Sequence, residues 1–111
     1  MTVDEIAEFE NIQECNLLKI DVQGGDLRVL KGASKLIERS KRLALLVELY
    51  PYGLRSNGNT PEEFMGLISR FGFETKAASA GGCEVRYEDG YSYITMKKPE
   101  ALVNLWCVRK G

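Results

Sequence analysis

The chain has 111 residues, of which 44% are hydrophobic and 28% charged, with a net charge of −1. These values are typical of one globular domain, residues 1–111, and they argue against disorder. The balanced charge gives no sign of the basic stripe with which proteins bind nucleic acid. No apolar run reaches the roughly 18 residues of a membrane span. The acidic N-terminus does not resemble a signal sequence, so we expect a cytoplasmic protein.

The residue types also limit the possible chemistry. The sequence has no histidine, which excludes His-based triads and His-ligated metal sites. The three cysteines, Cys15, Cys83 and Cys107, are widely spaced and odd in number, so they predict neither a disulfide framework nor a metal site. Acid–base chemistry would therefore fall to carboxylates, tyrosines or lysines.

Helix and strand signals alternate until the last third of the chain. The predicted elements, in order, are a helix from Val3 to about Ile12 behind a Thr2–Glu5 capping box, a buried strand over Leu17–Val22, a helix from Asp26 to Ile37, a buried strand over Leu43–Leu49, a loop over Tyr50–Asn59, a helix from Pro61 to Phe71, and strands over FETKAAS, CEVRY, YSYITMK and VNLWCVRK. This alternation predicts an α/β fold in three layers, with a mainly parallel sheet between flanking helices. The final strands favour an antiparallel strand or hairpin at one side of the sheet.

Three segments in this order, LLKIDVQGGDLRVLKGA, LLVELYP and TPEEFMGLISRFGF, resemble the second half of FkbM-type methyltransferases. The resemblance covers about Thr2 to Phe73 and, more loosely, VNLWCVRK. It implies a Rossmann-like fold that binds S-adenosylmethionine and transfers its methyl group to a hydroxyl oxygen. In that family the cofactor lies on a glycine-rich turn over the first strands. This sequence begins near the family's fourth strand, after that turn. We therefore expect a truncated half-domain that is not active alone and binds no cofactor alone.

The candidate site lies at the ends of the two buried strands, because open α/β sheets bind ligands beyond the carboxyl ends of parallel strands. Asp21 and Glu48 are the candidate catalytic carboxylates, which would orient a substrate hydroxyl or take its proton. Their structural alternatives are pairing with nearby cations such as Lys19 and, for Asp21, capping of the glycine turn. Asp26 is expected to cap the second helix. The candidate substrate-binding residues are Gln23 and Gly24 in the turn and Tyr50, Tyr52 and Arg55 in the following loop.

A non-catalytic function is the alternative. A truncated half-domain would leave the Leu17–Val22 strand with one unpaired edge, which is a template for pairing. The sequence then predicts a homodimer through this edge, unless the first helix covers the edge or another chain completes the domain. We expect Trp106, in the last strand, to lie in the core or at an interface.

Overall fold

The computed structural model describes residues 1–22, 25–81, 83–88, 91–96 and 102–109. The predicted alternation of helices and strands is confirmed. In chain order the elements are α1 (Val3–Phe9), β1 (Leu17–Ile20), α2 (Asp26–Lys31), α3 (Ser34–Arg39), β2 (Ala44–Leu49), α4 (Pro51–Ser56), α5 (Pro61–Arg70), β3 (Phe73–Gly81), β4 (Cys83–Glu88), β5 (Tyr91–Met96) and β6 (Leu102–Arg109). Within these ranges, no helix has the length and apolar character needed to cross a membrane.

The main sheet has four strands in the order β1-β2-β6-β3. Strands β1 and β2 are parallel, whereas β6 is antiparallel to both of its neighbours. Thus β1, β2 and β3 run in one direction, but β6 lies between β2 and β3. The prediction of a mainly parallel sheet is therefore wrong, since only the β1–β2 pairing is parallel. Strands β4 and β5 form a separate antiparallel pair.

The hydrophobic core lies on one face of this sheet. Successive strand residues point to opposite faces, and Ile20, Val47 and Leu105 point towards the helices. The core residues supplied by α2 to α5 are Leu27, Leu30, Ile37, Leu54, Phe64 and Ile68. The described residues thus form two layers, helices on sheet, rather than the expected three.

The other face of the sheet carries Trp106. Its side chain is 39% exposed, so it does not lie in the core, and its expected position at an interface stays a prediction. Residues of the neighbouring strand on this face, Ala44 and Leu46, are half-buried.

The predicted helix from Asp26 to Ile37 is broken into α2 and α3. The break falls at Gly32, whose carbonyl accepts a hydrogen bond from the Asp4 N–H at 2.8 Å. A Cβ added to Gly32 would lie 3.1 Å from the Thr2 Cβ, so glycine permits this close approach of α1. The start of α1 therefore packs directly on the α2–α3 junction.

Arg109, at the end of β6, connects the C-termini of two helices. Its guanidinium donates to the carbonyl oxygens of Ile37 and Ser40 at the end of α3, the latter at 3.1 Å, and to that of Phe71 after α5. It also lies over the Phe73 ring, 4.3 Å from the centroid. Because carbonyls at a helix C-terminus attract cations, this contact stabilises both helix ends.

The segment predicted as a loop after β2 contains α4. Pro51 occupies the first helical position, where its missing N–H costs nothing. Leu54 is buried in the core and anchors this short helix. The loop prediction is wrong for Pro51–Ser56, because burial of Leu54 outweighs the turn-forming composition of the segment.

Candidate functional site

Asp21 and Glu48 lie side by side at the carboxyl ends of β1 and β2. The parallel register pairs Ile20 with Val47, so the next residue of each chain segment becomes a neighbour. The Asp21 side chain makes a hydrogen bond with the Glu48 carboxyl group. Glu48 is 6% exposed, whereas Asp21 is exposed. One carboxyl group therefore faces solvent while its partner is buried in the fold.

The electrostatic environment favours a protonated Glu48. Burial is the main cause that raises the pKa of this carboxyl group, followed by the negative charges of Asp21 and Asp26 and by the hydrogen bond with Asp21. Desolvation and nearby like charges both disfavour ionisation. The Glu48 carboxyl group therefore keeps its proton to a higher pH than an ordinary glutamate does.

Asp26 is the site residue that the sequence reasoning missed. It was expected to cap the helix, but Gly25 is the N-cap and Asp26 is the first residue of α2. The Asp26 side chain is 1% exposed, and its charge acts on Glu48. Its negative charge is favoured at a helix N-terminus. The signal that could have identified it is an acidic residue at the start of a predicted helix that directly follows the glycine turn.

The tyrosines expected to bind substrate lie after β2. Tyr50 is the N-cap of α4, and its ring centroid is 6.1 Å from that of Tyr52, with the ring planes inclined by 42°. Tyr52 is 58% exposed, and Arg55 is exposed in the last turn of α4. These residues line the surface that follows the Glu48 strand end.

Two of the predicted substrate-binding residues, Gln23 and Gly24, lie outside the described residues. The structure joins Asp21 and Glu48 directly, and their catalytic role stays a prediction. It places Tyr52 and Arg55 on the exposed side of the next helix.

Gly25 is the described glycine of the turn beside these two carboxyl groups. An added Cβ there would lie 3.5 Å from Val22 Cγ2, an ordinary contact distance. Two surface cavities lie beside α3, one against Gln13 and Glu14 and the other against α1, and neither is lined by Asp21 or Glu48. Among the described residues there is also no cluster of three side chains suited to a metal ion.

The segment that carries the three acids matches a known family. The model of the methyltransferase FkbM domain matches residues 1–75 of this chain. That segment contains α1 to α5 and both strands whose ends form the site. A search of curated proteins and a search of solved structures each found no match. Since the family match covers more than half of the 111 residues, the chain belongs to the FkbM methyltransferase family.

Proposed function

We propose that this chain forms the acceptor side of an S-adenosylmethionine-dependent O-methyltransferase. The observation that carries the proposal is the hydrogen-bonded Asp21–Glu48 pair at the carboxyl ends of two parallel strands, where α/β sheets bind their ligands. Membership of the FkbM family supplies the reaction class. S-adenosylmethionine, when bound, supplies an electrophilic methyl group. The residues of this chain hold the acceptor and manage its proton.

Asp21 and Glu48 have different roles in this proposal. The exposed Asp21 carboxylate accepts a hydrogen bond from the acceptor hydroxyl and so orients its oxygen. When the O–H bond breaks, the proton passes to the Asp21 carboxylate. The environment that raises the pKa of Glu48 favours its protonated form, which donates a hydrogen bond to Asp21 and holds that carboxylate in position. The rings of Tyr50 and Tyr52 provide an apolar wall for the body of the acceptor.

The methyl donor is held, in this proposal, by a surface outside the described residues, either another segment or another chain. The proposed location of the chain is the cytoplasm. Calorimetric titration of this chain with S-adenosylmethionine should give no binding heat. Micromolar binding would contradict this part and place the donor site within the 111 residues.

Acceptor binding tests the central part of the proposal. Saturation-transfer NMR with a panel of sugars, polyols and phenols should identify hydroxylated compounds that bind this chain. Their signals should weaken in the Asp21→Asn and Glu48→Gln variants and persist in Glu62→Gln, a control at an exposed acid of α5. Binding that ignores both site variants, or a panel without any bound compound, would contradict an acceptor site at this edge.

A non-catalytic, self-associating module is the second candidate function. It is favoured by the position of β1 at the edge of the four-stranded sheet. Leu17 and Val22, at the two ends of this segment, are 56% and 47% exposed. An edge strand offers unpaired backbone groups to a second copy. Two copies would then pair through the Leu17–Val22 edge.

A proline at Lys19 tests this edge. The Asn16 carbonyl oxygen accepts a hydrogen bond from the Ala44 N–H at 2.9 Å, so the backbone groups of Asn16 face β2. Because these groups alternate in direction along a strand, the Lys19 N–H points away from β2. Lys19→Pro therefore blocks the outer edge while β1–β2 pairing persists. An edge dimer should become monomeric in Lys19→Pro and persist in Lys19→Ser. A dimer mass that survives Lys19→Pro, or a wild type that is monomeric, would contradict edge pairing.

A further inference from the structure

The sheet face opposite the helices carries a compact apolar block. The antiparallel register of β2 and β6 pairs Ala44 with Val108 and Leu46 with Trp106. These four side chains lie on the face opposite the core because strand residues alternate. Trp106 is 39% exposed, and the other three are half-buried. The block therefore has a row of smaller side chains, Ala44 and Val108, beside a row of larger ones, Leu46 and Trp106.

Two opposite charges border this block on β3. Glu74 pairs with Val108, and Lys76 pairs with Trp106, in the β3–β6 register. The acid thus extends the row of small side chains, and the lysine extends the row of large ones. Lys76 is exposed and Glu74 is half-buried. On β1 the exposed Leu17 lies beside Ala44, and the exposed Lys19 lies beside Leu46. The complementarity in charge therefore rests on Glu74 and Lys76, and the complementarity in side-chain size rests on the four side chains of the block.

We propose that two copies of this chain stack with these open sheet faces together. The two-fold axis of this dimer lies between the two sheets and runs perpendicular to the strands. It passes between the two rows, so it places each row of one copy opposite the other row of the second copy. Trp106 then packs on Val108 of the second copy, and Leu46 on Ala44 of the second copy. Lys76 lies opposite Glu74 of the second copy, twice by symmetry. Large side chains meet small ones, which is the condition for two sheets to pack about 10 Å apart.

The predicted interface is small. Four strands at a spacing of about 4.8 Å give a narrow face, so the contact falls below the roughly 1,200 Å² of standard stable interfaces. The dimer is therefore weak and concentration-dependent, with dissociation at micromolar concentrations or above. Trp106 is the anchor, since tryptophan is enriched among the residues that dominate binding. This inference does not depend on the proposed methyl transfer.

Charge exchange tests the stacking. Sedimentation velocity of the full chain between about 1 and 500 µM should show a monomer–dimer equilibrium. Lys76→Glu places two acids opposite one another at both symmetric positions and should raise the dissociation constant about tenfold or more. The double variant Glu74→Lys/Lys76→Glu should restore dimerisation, because the opposite charges face each other again. Circular dichroism should show the same fold in all variants.

Matched variants separate this contact from others. Lys41→Glu reverses an exposed charge outside the sheet and should leave the dissociation constant unchanged. A wild type that is monomeric throughout the range, or a double variant that is as weak as Lys76→Glu, would overturn the stacking proposal.

Discussion

A hydrogen bond of 2.9 Å joins the Leu36 N–H to Asp4 Oδ1, and the other carboxylate oxygen of Asp4 accepts from the Lys35 N–H at 3.0 Å. The Asp4 side chain thereby caps α3, whose own N-cap residue, Ala33, makes no side-chain capping bond. The contact joins the element before β1 to the element before β2. It therefore helps to fix the two strands that carry Asp21 and Glu48.

Removal of this cap should destabilise the protein. Asp4→Ala leaves two backbone N–H groups of α3 without their acceptor, and we expect a loss of about 1–2 kcal/mol in the free energy of unfolding. Asp4→Asn retains one side-chain oxygen as acceptor and should lose less. Urea denaturation followed by circular dichroism measures both values. Equal stability of Asp4→Ala and wild type would show that the cap contributes nothing.

Arg109→Met should destabilise the protein by roughly 2–3 kcal/mol, because carbonyl oxygens of two helix ends lose a charged donor. The contact with the Phe73 ring is lost as well. Arg109→Lys keeps the charge, but one ammonium group cannot contact the carbonyl oxygens of Ile37, Ser40 and Phe71 together. The stability of this variant should therefore lie between those of the wild type and Arg109→Met. Thermal unfolding by calorimetry gives this order. A lysine variant as stable as wild type would contradict the role of the guanidinium fork.

The Cys107 thiol should react more slowly than the Cys15 thiol. Burial raises its pKa to about 11 despite the Thr75 hydroxyl, whose hydrogen bond lowers it. Cys15 is half-buried. Since the thiolate is the reactive species, iodoacetamide at pH 8 should label the Cys15 peptide long before the Cys107 peptide. Mass spectrometry follows both peptides, with urea-unfolded protein as the control in which the rates converge. Equal rates in the folded protein would contradict this burial.

The parts of the fold set by local patterns were predictable from the sequence. The Thr60–Glu63 capping box begins α5 as expected, with the Glu63 N–H donating to Thr60 Oγ1 at 3.1 Å. The two aliphatic strands and the final strands were also identified, because burial on a sheet selects such residues. The meeting of Asp21 and Glu48 followed from the rule that parallel strands end at one edge.

The parts set by contacts between distant segments were not predictable in this way. The position of β6 between β2 and β3 depends on sheet pairing, which leaves no local signal in its sequence. The break at Gly32 reflects the approach of Thr2, and the capping of α3 comes from Asp4 in another helix. The burial of Asp26 likewise depends on how α2 packs against the strand ends.

Glu48→Gln should make stability less dependent on pH. The pKa of Glu48 is raised in the folded protein, so the folded state binds this proton more tightly than the unfolded chain, whose glutamate pKa is about 4.3. The resulting stabilisation is complete below that pH and is lost as the pH rises through the folded pKa. We therefore expect Glu48→Gln to lose less stability than wild type between pH 4 and pH 7. Parallel urea curves measure this, and identical pH profiles would contradict it.

A titration of the Glu48 side-chain carboxyl by carbon-13 NMR tests most directly whether the Asp21 carboxyl group acts on Glu48. We predict a Glu48 pKa above that of an ordinary glutamate in the wild type. In Asp21→Asn this pKa should fall towards the ordinary value, yet remain above it, because burial is the larger cause. An ordinary pKa in the wild type, or a raised pKa that does not respond to Asp21→Asn, would contradict the pair and with it the proposed acceptor site.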